Sequence, residues 1–172
     1  IVYLIRTKAD KQAEDVTIRL SSLMSYMLYD SDQSMVSLER ELEYLRNYVD
    51  LQRMRFQDDV TIDFEVHGTI RGCSIEPMLL IPFVENAVKH GVAFVQEPYI
   101  QIKFFIDHGQ LTFQVKNKIG KIKDGVKDES SGIGLKNVLR RLALLYPNQH
   151  TLQILETDEV FEVDLQMTLQ KK

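Results

Sequence analysis

Four residues that could do chemistry fall within Ile81-Pro82-Phe83-Val84-Glu85-Asn86-Ala87-Val88-Lys89-His90-Gly91: Glu85, Asn86, Lys89 and His90. With Glu85 at zero and about 100° per residue, Lys89 lies near about 40°, Asn86 near about 100° and His90 near about 140° of a helical wheel. All four therefore share one face of a helix, while Leu80, Ile81, Val84, Ala87 and Val88 form the opposite, apolar stripe that a helix buries against a sheet. An amide oxygen can ligate a hard cation such as Mg²⁺, a lysine can neutralise phosphate, and an imidazole can lie along a base or ribose. The set points to a bound nucleotide. Any one of these residues alone would read as part of a solvated helix face.

A second run, Ser130-Ser131-Gly132-Ile133-Gly134-Leu135-Lys136-Asn137-Val138-Leu139-Arg140-Arg141-Leu142, places two glycines at the opening of a helix with Leu135, Val138, Leu139, Leu142 and Leu145 on one side. Backbone amides at such a start can receive phosphate oxygens. The glycine pair by itself reads equally as a turn before a helix. No Lys-Ser/Thr ending completes a P-loop here, and no Gly-x-Gly-x-x-Gly follows a strand.

The order Asn86-Ala87-x-Lys89-His90-Gly91, a strand pair, a polar loop, then Gly132-x-Gly134-Leu135-x-Asn137-x-x-x-Arg141-Leu142 resembles the ATP-binding domain of sensor histidine kinases. That domain is shared with gyrase, the heat-shock chaperone and MutL ATPases. The nearer resemblance is to the LytS/YehU-like branch, over about residues 20 to 172. The resemblance implies an α+β fold: a two-layer α/β sandwich of Bergerat type, with a mixed sheet, helices on one face and N-terminal helices before it. It implies ATP and Mg²⁺ as cofactors, with Asn86 ligating Mg²⁺ between the phosphates, Lys89 on phosphate and His90 near the adenosine. Asn117 stands where much of the group has an aspartate that receives the adenine amino group. An asparagine oxygen can still accept that bond, although its other end is a donor. Gly120 matches the glycine that follows, and Gly132, Gly134 and Leu135 close a lid formed by about residues 121 to 131.

Pro82 occupies the position, four before the asparagine, where gyrase-like ATPases and anti-sigma serine kinases carry a glutamate base. Proline offers no oxygen to accept a proton, and a histidine acceptor needs less activation than water or serine. Pro82 therefore favours phosphoryl transfer to histidine, with Glu85 as the available substitute base. The alternatives are a non-catalytic ATP-binding regulatory module and an anti-sigma-type serine kinase. In the resembled family the phosphoacceptor histidine lies upstream of the first residue here, and none of the four histidines matches its motif. The chain opens Ile1-Val2-Tyr3 without a methionine and reads as a fragment that binds Mg-ATP but cannot phosphorylate itself. Residues 1–33 are expected to be the end of a helical dimerisation and phosphoacceptor region, and 34–172 the catalytic domain. By the same resemblance the partners are a LytTR-type response regulator and a second copy joined through the helical region. The parent would be anchored in the inner membrane with this part in the cytoplasm.

The elements that must hold these residues are legible from periodicity. A helix is expected from Ala9 to about Asp30, with Val16, Leu20, Leu23, Met24, Met27 and Leu28 inward, and a second from an N-cap at Ser37 to about Phe56. Strands are expected at residues 60–66, 99–106, 111–117, 152–156 and 159–169, with a helix over 135–146. Pro77 could open the site helix, and Pro82 should bend it or mark its start. His67, His108 and His150 are expected to face solvent, while Arg140 or Arg141 could reach phosphate. Tyr26, Tyr29, Tyr44 and Tyr48 read as packing residues.

With 172 residues, 44% of them hydrophobic, the chain can build one sizeable core. Its net charge of −4 and scattered lysines and arginines argue against a nucleic-acid surface. The lone Cys73 allows no internal disulfide. No apolar run approaches the ~20 residues of a membrane helix, so no direct membrane contact is expected of this part.

Overall fold

The computed structural model describes residues 10–92, 95–120 and 133–171. Two helices come first. α1 (Asp10–Ser25) runs into a wider turn, Tyr26–Asp30, and a two-residue strand, β1 (Val36–Ser37), leads into α2 (Leu38–Phe56). Ser37 caps α2 as expected, its Oγ accepting the Arg40 N–H at 3.3 Å. Leu38, Leu42, Leu45 and Val49 repeat at helical spacing and are buried.

The sheet follows from strict alternation. β2 (Thr61–Gly68), β4 (Tyr99–Asp107), β5 (Gln110–Lys118), β6 (His150–Glu156) and β7 (Val160–Thr168) pair in the order β2-β4-β5-β7-β6. β2 and β4 are parallel and the other pairs antiparallel, so the sheet is mixed. Ile100, Ile102, Phe104 and Ile106 on β4, and Leu111, Phe113 and Val115 on β5, point to one face and are buried there. The opposite face is polar, with Lys103 to Glu65 at 3.5 Å, Gln114 to Asp164 at 2.6 Å and Lys116 to Glu162 at 3.1 Å. Such alternation leaves one face for helices and one for water.

α3 (Ile81–Gly91) lies on the apolar face, burying Ile81, Phe83, Val84, Ala87 and Val88. Pro82 falls in its first turn, where a missing N–H leaves no helical hydrogen bond unmade, so proline marks the start and bends nothing. α4 (Ile133–Leu145) contributes Val138 and Leu142 to the same core. A second, small antiparallel sheet, β1-β3-β8, with β3 (Cys73–Ile75) and β8 (Gln170–Lys171), ties the start of α2 to the chain's last described residues. The result is the expected α+β sandwich.

α1 departs from the expected packing. Of its periodic apolar residues only Leu23 is buried, joined by Ala13 and by Tyr26 just beyond, while Leu20, Met24, Met27 and Leu28 are exposed. Polar groups fasten α1 to α2: Arg19 reaches Asp50 at 2.7 Å and Asn47 at 3.2 Å, and Asn47 reaches Ser22 at 3.1 Å. A single partner helix covers only one side of α1, so the rest of its stripe faces outward.

Candidate functional site

Asn86, Lys89 and His90 project from α3 on the side away from the core, Asn86 and His90 half-buried and Lys89 exposed. The two ends of the helix meet residues far away in sequence. At the C-terminal end, a Cβ on Gly91 would stand 2.9 Å from Asn117 Cβ, 3.2 Å from its Nδ2 and 3.3 Å from its Cγ. At the N-terminal end, a Cβ on Gly134 would make an ordinary 3.9 Å contact with Pro82 Cβ. Asn117 and Gly134 therefore stand at the two ends of α3, nine helical steps apart from Pro82 to Gly91, roughly 13 Å at 1.5 Å per residue, with Gly91 on the buried side of the helix. Gly120 follows β5 on the Asn117 side, and Leu135 packs against the core from α4. The expected lid, residues 121–131, and Gly132 lie outside the described residues.

Asn117 continues the inward row Leu111, Phe113, Val115 of β5 and is fully buried. Its Nδ2 donates to the Lys118 carbonyl at 2.8 Å, which fixes the amide with its oxygen turned away from that bond. Oδ1 is buried and has no hydrogen-bond partner among the described residues. A buried polar atom without a partner is costly, so this acceptor is suited to receive a donor. The Lys118 carbonyl thereby engages the donor end of the amide.

The close approach of Gly91 to Asn117 yields a test of the site's packing. Gly91→Ala must push α3 away from β5, because Asn117 Cβ is fixed to the strand and cannot swing aside. We expect a loss of roughly 1–3 kcal/mol, read as a lower denaturant midpoint. An unchanged midpoint would show that α3 is free to move at that end.

Among the described residues no group of three or more His, Cys, Asp or Glu could hold a metal ion. A Mg²⁺ carried by nucleotide phosphates needs no such cage, since one amide or carboxylate oxygen with phosphates and water completes its shell. The Asn86 amide oxygen is the donor that fits. Glu85 is exposed as a residue, yet neighbouring protein withdraws enough water from its carboxyl to push its pKa upward. Burial first, and then the Glu85 charge, push Tyr44 and Tyr48 on α2 up to about 12. Glu85 thus sits at the border of the polar face with α2.

The segment that delivers α3 carries a network that the sequence did not announce. Glu41, on α2, is fully buried. Its Oε2 accepts the Met78 N–H at 3.0 Å and the Tyr26 hydroxyl, and its Oε1 accepts the Leu80 N–H at 3.4 Å. From the other side Arg141 donates to the carbonyls of Pro77 at 2.7 Å and Met78 at 3.0 Å and pairs with Glu76 at 2.9 Å. The Glu76 N–H donates to the Tyr146 hydroxyl at 3.0 Å. Arg141, one of two arginines that could reach phosphate by sequence, is spent on this connection, because three acceptors of the chain lie within reach of its planar fork. The signal for Glu41 was its place on the stripe of Leu38, Leu42 and Leu45, where a charge has no reason to be unless it is paired.

Burial pushes the Glu41 carboxyl above the ordinary carboxylate range, against the opposing pull of the Tyr26, Met78 and Leu80 hydrogen bonds. The folded chain therefore holds this proton more tightly than the unfolded chain. Its contribution to stability is complete below the unfolded carboxylate value and declines as pH rises through the folded one. Glu41→Gln, which cannot ionise, should accordingly cost most near about pH 4 and progressively less toward about pH 8. Paired thermal melts across that range check it, and a constant difference would contradict it.

The histidines and tyrosines sort largely as expected. His67 and His108 are exposed, His67 stacking on Phe105 with centroids 5.0 Å apart. His150 is a correction: it is half-buried, its Nδ1 2.8 Å from the Tyr146 carbonyl. Tyr26 stacks on Tyr44 at 4.4 Å in the core, while Tyr29 is exposed.

A family model described as histidine kinase matches residues 1–60. The sensor protein LytS of Staphylococcus saprophyticus is 31% identical over 164 residues, 88% of this chain and 27% of that protein. The chain thus spans little more than a quarter of that relative's length. Among solved structures, the histidine kinase domain of the Erythrobacter litoralis EL346 blue-light activated histidine kinase has a TM-score of 0.57 at 15% identity, covering 98% of this chain and 84% of that one. Full-length ShkA in complex with AMPPNP has a TM-score of 0.54 at 19% identity, covering 96% and 38%. The fold is that of histidine kinase catalytic domains, and by sequence the chain belongs with the LytS-like sensor histidine kinases.

Proposed function

We propose that this chain is the ATP-binding catalytic domain of a two-component sensor histidine kinase, carrying the end of its helical stem in residues 1–33 and the catalytic domain in 34–172. In the full-length parent it passes the γ-phosphoryl of ATP to a histidine upstream. The observation that carries the reading is the buried Asn117 Oδ1, unpartnered among the described residues, beside Gly91 at the C-terminal end of α3. It suits the exocyclic amino group of adenine, a donor, and opposes the O6 acceptor of guanine. Asn86 would hold Mg²⁺, Lys89 would contact phosphate and His90 would lie near the adenosine. Gly120, Gly132, Gly134 and Leu135 would border the nucleotide. Bound Mg²⁺ would draw charge from the phosphate oxygens as the γ-phosphoryl leaves.

The chain's own contribution is positioning. α3 sets amide and ammonium groups on one rigid face, and Pro82 leaves no carboxylate where a water-activating base would stand. Glu85 is the carboxylate nearest in sequence to the metal-binding amide. The exposed apolar stripe of α1, from Leu20 to Leu28, is the surface through which the parent would pair with a second copy. A response regulator, of LytTR type, would take the phosphoryl group onward. Among the described residues no helix is long and apolar enough to cross a membrane, and the parent's anchoring in the inner membrane, with this domain on the cytoplasmic side, would rest on other segments.

Calorimetric titration with nonhydrolysable ATP and GTP analogues, each with and without Mg²⁺, tests the assignment. We expect saturable, Mg²⁺-dependent binding of the adenine analogue and at least about tenfold weaker binding of the guanine analogue. Equal affinity for both bases would reject the role given to Asn117. No binding of either would reject the kinase reading and leave a module without nucleotide chemistry.

A further inference from the structure

Met78 has a φ of 56°, a left-handed backbone that a side chain with a Cβ adopts at a cost, and its own side chain offers no local hydrogen bond in return. The conformation is held from outside. Its N–H is taken by Glu41 and its carbonyl by Arg141, while the flanking Leu80 N–H, Pro77 carbonyl and Glu76 N–H go to Glu41, Arg141 and Tyr146. Every one of these contacts joins elements far apart in sequence, and the segment they grip ends where α3 begins. Glu41 also takes the Tyr26 hydroxyl, so the same carboxyl group touches the turn that ends α1. Arg141 and Tyr146 belong to α4 and its end, the helix that opens at Gly134 over Pro82.

We propose that Glu41 and Arg141 are positioning residues for the nucleotide site, a two-sided clamp on Glu76–Leu80 that sets where α3 stands and, through Tyr26, makes that position depend on the stem. Glu41 is suited to this because, standing on α2, it touches both the stem turn and the entry to α3. A displacement of α1 that withdraws Tyr26 from Glu41 alters the hold on the Met78 and Leu80 amides, and with it the placement of Asn86 five residues into α3. Arg141 passes the same displacement to α4, on the other side of the polar face. The affinity part of the proposal rests on the nucleotide reading above, while the mechanical link between stem and α3 does not.

Hydrogen–deuterium exchange on the whole chain separates the two. In the ligand-free protein, Tyr26→Phe removes one hydroxyl while keeping the ring on Tyr44. It is expected to speed exchange at the Leu80 amide and in the first turn of α3, beyond the Met78 amide on which the Tyr26 hydroxyl itself bears. Glu41→Gln should do the same more strongly. With a Mg-bound nonhydrolysable ATP analogue, the wild type should show slowed exchange in the Tyr26–Asp30 turn. In Glu41→Gln that remote protection should vanish and analogue affinity should fall about fivefold or more, the lower end of ordinary coupling between sites. A clamp with a structural role alone would lower the melting temperature but leave the affinity of the folded protein and the stem protection as in wild type, and that result overturns the proposal. Exchange changes confined to the neighbourhood of residue 26 overturn it as well. Wild-type protein that fails to bind the analogue would instead strike the nucleotide reading, and the ligand-free arm would still decide the link.

Discussion

Asn86→Ala should abolish Mg²⁺-dependent nucleotide binding, lowering affinity by about a hundredfold or more, while leaving the fold as stable as the wild type. Loss even of a group that only orients a metal ligand costs about 10–100-fold, and here the ligand itself goes. Stability is spared because Asn86 is half-buried on the polar side of α3, opposite Val84, Ala87 and Val88, and alanine is the better helix former. Titration with the nonhydrolysable analogue, with circular dichroism as the control for folding, reads both quantities. Asn86→Asp keeps an oxygen donor and should retain part of the Mg²⁺-dependent binding. If Asn86→Ala binds as the wild type does, the metal is held elsewhere and the assignment of the α3 face fails.

Asn117→Leu should separate stability from function in the opposite sense. The asparagine keeps a buried oxygen without a partner, and its removal relieves a desolvation cost of about 1–3 kcal/mol. The lost Nδ2 bond to the Lys118 carbonyl, about 1 kcal/mol, offsets part of that gain. A leucine extends the inward row of Leu111, Phe113 and Val115 with a side chain of similar size. The variant is therefore expected to melt at or above the wild-type temperature and to lose adenine-nucleotide affinity by about tenfold or more. A marked drop in melting temperature would mean that Asn117 serves the core, and retained affinity would mean that the base is read by another group. Residues kept at a cost to the apo fold mark sites of function.

Much of the site was legible because it is local. Glu85, Asn86, Lys89 and His90 sit within six positions of one helix, and a period of 3.6 fixes which side they share before any tertiary contact forms. The alternation in β4 and β5 is just as local, which is why Asn117 could be placed on a strand. The same alternation sets Asn117 in the row of Leu111, Phe113 and Val115, but its close approach to Gly91, 26 residues away in the chain, depended on the fold. α1 was misread for the complementary reason. Its apolar spacing says that a face exists, but the number of partners available to cover it is a property of the whole assembly, and Leu20, Met24 and Leu28 remain outside. β1, β3 and β8 are two or three residues long, too short for a period of two to register.

The sequence by itself determined the α+β order, the cap of α2 at Ser37 and the one-sided chemistry of the α3 face, because capping and helical periodicity act within a few residues, while the choice between Pro77 and Pro82 as the opening of α3 fell to the fold. The tertiary structure decided what Glu41 and Arg141 do. Glu41 lies in the first turn of α2, a place where an acidic residue is favourable beside the helix dipole whatever its partners. Its actual partners, the Tyr26 hydroxyl and the amides of Met78 and Leu80, lie 15, 37 and 39 positions away. Arg141 read as a candidate for phosphate and holds carbonyls 63 and 64 positions back. Both are side chains whose role is set by what the fold brings within three ångströms, and no spacing along the chain encodes that distance.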